Sequence, residues 1–210
     1  MTFATLRYLG LGAGATIGLA FVAIAVSAAF GMLLAVTRLY AWAPLRVLAA
    51  GYALVIRGIP LLILLIAAYF GLPYVGITMP IYPTVILVMG LYFGAYMGEV
   101  FRGAITAVPQ TQWEAGRSLG FRRWQNFHIV VLPQARRLCV APFLNVALSV
   151  VKNTSLVSAL GGWELVAAGQ EIGDRTGALL SVYLAIAATY FIIFFPLARL
   201  AALIERASHG

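Results

Sequence analysis

The sequence has little of what catalytic and metal-binding chains usually carry. One Cys in 210 residues excludes a disulfide within the chain and any multi-Cys metal site, and two His are too few for a His-rich one. Only six Asp or Glu stand against fourteen Lys or Arg, and charged residues make up 10% of the chain, where a soluble domain has about a quarter. No G-x-x-x-x-G-K-[ST] stretch occurs, so the chain offers no phosphate loop for ATP. What fills the space is hydrocarbon: 63% of residues are apolar and the mean hydropathy is +0.98. These proportions are those of an all-α integral membrane protein. The net charge of +8 then concerns the placement of arginines in a membrane, and nucleic acid is not an expected partner.

Apolar windows of about 20 residues predict five spans, near 14–36, 52–72, 82–104, 137–159 and 179–203, in one transmembrane domain covering 1–210. Basic residues in short connections stay cytoplasmic. Arg38, Arg46, Arg57, Arg102, Arg117, Arg122, Arg123, Arg136, Arg137, Arg199 and Arg206 fall on one side, against only Arg7 and Arg175 on the other. The N-terminus is therefore expected outside and the C-terminus in the cytoplasm, with no cleavable signal ahead of the first span.

The longest polar interruption is Thr111 to Pro133. Thr111 and Glu114 have capping-box spacing, and Gly120 has the place of a left-handed helix terminator. A second short helix is expected from Arg122 to Leu132, with Pro133 marking entry into the next span. The whole connection, 108–133, reads as a helix-turn-helix elbow in water.

Inside the spans the unusual residues are polar. Glu99 and Arg102 lie three apart on one helix face, where an ion pair would make the buried charge tolerable. Lys152, Asn153, Thr154 and Ser155 lie about 22 Å beyond Arg137 along a helix, deep in the membrane. Such residues point to a solute pathway or to hydrogen bonding between helices, and Lys152 needs a partner or a water-filled cavity. Arg57 with Pro60 opens the second span as a snorkelling arginine and a first-turn proline. Gly10, Gly12, Gly14 and Gly18 lack the strand and the acidic residue of a dinucleotide loop, so the Gly14-x-x-x-Gly18 step predicts close helix packing. Tyr74 and Tyr82 fit an interfacial aromatic belt. Beyond the fourth span, Trp163–Ile172 predicts a short amphipathic surface helix, exposed and acidic through Glu164 and Glu171, beside Asp174 and Arg175. Glu205 and Arg206 serve only to anchor the tail.

The elbow resembles the cytoplasmic loop of ABC-importer permeases, E-A-A, three residues, G, nine residues, I, one residue, L-P. Glu114, Ala115, Gly120, Leu132 and Pro133 match, while Gly116 replaces an Ala and Val130 an Ile. Arg57-Gly58-Ile59-Pro60, the Ala95 to Ile105 stretch and Lys152-Asn153-Thr154-Ser155 resemble segments of the polar amino-acid subgroup of that family, where Asn153 stands for a common Asp. The resemblance implies a five-helix type I permease. In it, Thr111, Trp113, Glu114, Ala115, Gly116, Arg117, Leu119 and Gly120 form the coupling helix against a separate ATPase dimer, which holds the ATP and Mg. It also implies a second permease subunit, identical or homologous, an extracytoplasmic solute-binding protein, membrane lipid around the chain, and the bacterial inner membrane as location. Glu99, Arg102, Lys152, Asn153, Thr154 and Ser155 are then the pathway candidates, and Arg57 and Pro60 the gate candidates. The cofactors belong to the partner, and this chain is not itself an enzyme. A membrane hydrolase is disfavoured because His128 lies in the elbow and His209 in the tail, away from any serine in a span. An ATPase-independent carrier or channel for a small polar solute is the alternative, and it leaves the elbow without a purpose.

Overall fold

The structure, a computed structural model, describes residues 3–209, with side chains described as far as 204. The anchoring side chains of Glu205 and Arg206, and that of His209, lie outside the described side chains. Among the described residues all regular structure is helical. Four helices are long and apolar enough to cross a membrane: α1 (Phe3–Tyr40), α4 (Ile81–Thr106), α6 (Arg123–Leu160) and α8 (Leu179–Ile204). A bent pair, α2 (Ala43–Gly58) and α3 (Leu61–Val75), makes the fifth span if counted as one. Two shorter helices complete the chain, α5 (Gln110–Ser118) and α7 (Leu165–Thr176).

The central contact is α1 against α4. A Cβ at Gly31 would lie 2.8 Å from the Met97 Cβ and 2.9 Å from the Gly98 nitrogen, so the two backbones nearly touch. On α4, Gly90, Gly94 and Gly98 repeat every four residues and receive Val26, Phe30 and Leu34 of α1. Small residues at this spacing let helices pack by van der Waals contact where no hydrophobic force separates protein from lipid. The expected Gly14–Gly18 step does not do this, because a Cβ at either position would meet nothing within 4 Å. Those two glycines face away from the bundle, and the working stripe is on α4. Around the seam, Leu19, Leu61, Leu65, Met89, Phe93, Val150 and Val157 form the principal core.

The second span is broken rather than straight. The connection expected to carry Arg46 and Arg57 is itself a helix, begun by Pro44 in its first turn and continuing through Gly51 as far as Gly58. There Ile59 is extended (φ −103°, ψ 133°), the conformation imposed by a following proline, and the axis turns by 102° before α3. Arg57 therefore sits at a corner within the span.

The helix of the fourth span starts earlier than expected and does not stop at Pro133. Residues Arg123 to Leu160 run as one 38-residue helix. Proline would clash with the carbonyl four residues back and offers no N–H. A π turn, Phe127–Val131, widens the helix just before it, with the Leu132 amide bonded to the Phe127 carbonyl five residues back. The widened turn absorbs the proline where a break was expected.

Helix α7 is not a surface helix. Leu165, Ala168, Gly169, Ile172 and Gly173 are buried against α1 and α8, and a Cβ at Gly12 of α1 would lie 2.9 Å from the Ala168 Cβ. Tyr82, expected only to sit in an aromatic belt, holds the approach to α7: its hydroxyl donates to the Trp163 carbonyl and accepts from the Trp163 amide, both at 3.1 Å.

Candidate coupling and pathway sites

The elbow is built from a nine-residue helix whose ends are closed differently from expectation. Pro109, not Thr111, takes the N-cap place, with φ −55° and ψ 142°, and no side chain caps the helix. The fixed proline φ starts the helix two residues early, which puts Thr111 inside the first turn and removes the Thr111–Glu114 capping box. Half of such a box appears at the start of α6, where Gln125 Oε1 accepts from the Arg122 amide at 2.9 Å. At the other end Gly120 does take the left-handed conformation (φ 78°). The Gly120 amide bonds to the Arg117 carbonyl and the Phe121 amide to the Gly116 carbonyl, a Schellman closure.

One side chain ties α5 to the foot of α6. Asn126 is buried, and its Nδ2 donates to the Trp113 carbonyl at 2.8 Å. Gly116 lies directly beneath it, and a Cβ there would fall 2.0 Å from Asn126 Oδ1. The Gly-for-Ala difference in the E-A-A pattern is thus matched by an asparagine that fills the missing methyl's space. Sequence reasoning missed Asn126, whose only signal was that exchange. Of the other elbow candidates, Thr111, Glu114, Ala115, Arg117 and Leu119 are exposed, and Trp113 packs against Val108, Val131 and Ala135.

Glu99 pairs with Arg102, as its spacing implied, through Arg102 Nη2 at 2.9 Å and Nε at 3.1 Å. Two further guanidiniums join it. Arg38 from the end of α1 donates to Glu99 Oε1, and Arg57 from the corner of the broken span reaches the same oxygen at 3.5 Å. Arg57 also donates to the Ala53 carbonyl and stacks over the Tyr96 ring. One carboxylate thus joins α1, α2 and α4, and the cluster keeps a surplus of two positive charges. Arg38 was read only as a topology marker; nothing local in sequence links it to a residue 61 positions away. Pro60 makes the corner itself.

The polar run on α6 divides. Lys152 leans over the Phe194 ring of α8 with its Nζ 5.0 Å from the centroid, a cation–π contact in place of an anion or a closed cavity. Thr154 and Ser155 bond back to the Val151 and Lys152 carbonyls, at 2.7 and 2.9 Å, as the helix tightens to 3-10 geometry over Thr154–Leu160. Asn153 alone faces a cleft. Its Nδ2 donates to the Ser149 carbonyl at 2.8 Å, and with Tyr92, Phe93, Tyr96, Val146 and Ser149 it lines a space of about 460 Å³ between α4 and α6. The candidates therefore do not form one site: Asn153 belongs to the cleft, Glu99 and Arg102 to the arginine cluster, and Lys152 to the α6–α8 contact.

Glu164, expected to be exposed, is wholly buried. Its Oε1 caps α7, accepting from the Val166 and Ala167 amides at 2.8 and 3.2 Å. Its Oε2 accepts from the hydroxyls of Thr16 on α1 and Tyr190 on α8, at 3.2 and 3.3 Å. Burial pushes its carboxyl above the ordinary value, against the lowering effect of those bonds. Neither Thr16 nor Tyr190 had a local sequence signal.

Residues 27–209 match the family described as binding-protein-dependent transport system inner membrane component. The chain is 37% identical over 182 residues to the L-cystine transport system permease protein TcyB of Bacillus subtilis (strain 168), covering 84% of this chain and 78% of that one. It is 32% identical over 176 residues to the probable glutamine ABC transporter permease protein GlnM of the same organism, covering 84% and 82%. Among solved structures, a chain of an amino acid ABC transporter crystallised with histidines superimposes with a TM-score of 0.90 at 28% identity, over 99% of both chains.

Proposed function

Because the chain belongs to the family of binding-protein-dependent transport system inner membrane components, we propose that it is the type I permease subunit of an ATP-driven importer for a polar amino acid or a closely related solute. The names of its relatives support the solute class. In this reading the N-terminus is outside the cell and the C-terminus in the cytoplasm, as the arginine distribution indicates. A second permease, identical or homologous, completes the pathway, and a solute-binding protein delivers to it from outside. An ATPase dimer carrying ATP and Mg meets the elbow.

The observation that carries this reading is the join between the elbow and α6. Helix α5 presents Thr111, Glu114, Ala115 and Leu119 outward, while Asn126 and Trp113 bind its other face to the base of a continuous transmembrane helix. A partner pressing on α5 thereby moves α6. Further along α6, Asn153 in the cleft with Tyr92 and Tyr96 contacts the solute, and the Glu99 arginine cluster, with Arg57 and Pro60 at the broken corner, forms the inner gate. Asn153 contributes amide hydrogen bonding without charge, which suits a solute recognised through its zwitterionic head.

The test is ATPase activity of the reconstituted permease, ATPase and binding protein across an amino-acid panel, comparing wild type with Glu114→Ala and Gly120→Pro. One amino acid is expected to stimulate hydrolysis, and the elbow variants to lose that stimulation. Solute uptake through the permease without any ATPase would replace this reading with that of a secondary carrier.

A further inference from the structure

A groove of about 1600 Å³ opens between the end of α1 and the elbow. A second space of about 650 Å³ runs from it along α4 and α6, and the two share Met32, Ile105 and Leu132 in their walls. Together they make one long apolar channel, far larger than the roughly 30 Å³ that a water occupies. Its charged lining is of one sign. Arg117 and Arg123 stand in the first space and Arg136 in the second, and no acidic side chain lines either. The described ion pairs belong to Glu99 and Glu171, so these three guanidiniums have no carboxylate partner among the described residues. Unpaired arginines around an apolar groove in a membrane protein call for an anion with a hydrocarbon tail.

We propose that this groove binds an anionic phospholipid, its charged headgroup attracted by Arg117 and Arg123 at the base of the groove and Arg136 further along its wall, and one acyl chain lying along Met32 and Cys139 toward Phe143. A zwitterionic lipid fits the tail path but brings its own cation to the arginines. A lipid seated here touches α1, α5 and α6 at once, so membrane composition would tune the stiffness of the elbow. The proposal is independent of which solute is carried.

The experiment uses the whole transporter complex in nanodiscs holding equal phosphatidylglycerol and phosphatidylcholine, with retained lipid counted by native mass spectrometry. Phosphatidylglycerol is expected to be retained preferentially. Arg123→Gln and Arg136→Gln should each lower that retention about five-fold, the effect of one basic residue near an anionic surface. Arg7→Gln, at the opposite end of α1, should leave it unchanged. Cys139→Trp, which fills the tail path but keeps every arginine, should also displace the lipid. Equal retention of both lipids, or undiminished phosphatidylglycerol in the two arginine variants, overturns the proposal. So does displacement of the lipid by soluble glycerol phosphate alone, which would mark a free-anion site, or crosslinking of Met32→Cys to a second permease or to the ATPase, which would mark a protein interface.

Discussion

Glu99 and Glu164 are two of only six acids in the chain, and their surroundings oppose each other. Glu99 is held by three arginines from three helices and keeps a fifth of its side chain exposed. Glu164 is fully buried and has no ion pair among the described residues, satisfied by two backbone amides and two hydroxyls. A cluster of long, partly solvated charges can exchange partners one at a time while its helices move. A carboxylate that caps one helix and receives hydroxyls from two others holds only in a single geometry. The difference assigns motion to the corner where α1, α2 and α4 meet, and fixity to the far junction of α1, α7 and α8.

The comparison can be broken first at the charged end. Glu99→Gln leaves three guanidiniums without a countercharge, and a loss of about 3 kcal/mol is expected, the lower end for breaking a buried pair because these side chains are partly exposed. Thermal unfolding of the purified permease measures it, and Arg102→Gln in the Glu99→Gln background should recover part of the loss. At the fixed end, Glu164→Ala removes an N-cap and should cost about 2 kcal/mol. Its unfolding midpoint will distinguish that from Glu164→Gln, which retains an acceptor for Val166 and should cost less than about 1 kcal/mol.

A third measurement sharpens the contrast through pH. Because burial raises the Glu164 carboxyl, the folded chain holds its proton more tightly than the unfolded chain does. The stabilisation it contributes is complete below the unfolded value of about 4.3 and is lost as pH rises through the folded value. The midpoint of wild type relative to Glu164→Gln should therefore fall as pH is raised above about 4. A difference independent of pH would mean that the carboxyl is already ionised or solvated. The smallest expected effect is at the elbow: Gly116→Ala crowds Asn126 and should cost about 1 to 2 kcal/mol. Asn126→Ala in that background should relieve the crowding, and the double variant's midpoint checks this.

The spans were legible because five apolar windows are a strong signal, and Gly120 was legible because a left-handed terminator has one favoured residue. The elbow's start was not. Thr111 and Glu114 match a capping box, yet Pro109 two residues earlier sets the helix start through its own φ. Pro133 misled in the opposite way, since a π turn can absorb a proline and nothing in Phe127–Val131 announces one. The window over 52–72 held enough hydrocarbon for a straight crossing; the bend lay in Ile59-Pro60, which hydropathy does not weigh. Arg38 with Glu99, and Thr16 with Glu164, are separated by 61 and 148 residues, so only the packed helices bring them together. Gly14 and Gly18 were read as the packing step although Gly90, Gly94 and Gly98 carry the same spacing twice over. Spacing identifies a stripe that can pack, and only its neighbours decide which one does.

The unbroken run from Arg123 to Leu160 has a mechanical consequence. Thirty-eight residues at 1.5 Å each make a rod of about 57 Å. Helical bonding runs on from its base at Asn126 to the Asn153 cleft, with Pro142 as an interior point where the rod can bend. A tilt imposed at the base is delivered along the rod as leverage, less what bending at Pro142 takes up, and the displacement at its distant end scales with distance from the pivot. The π turn that accommodates Pro133 keeps that lever in one piece.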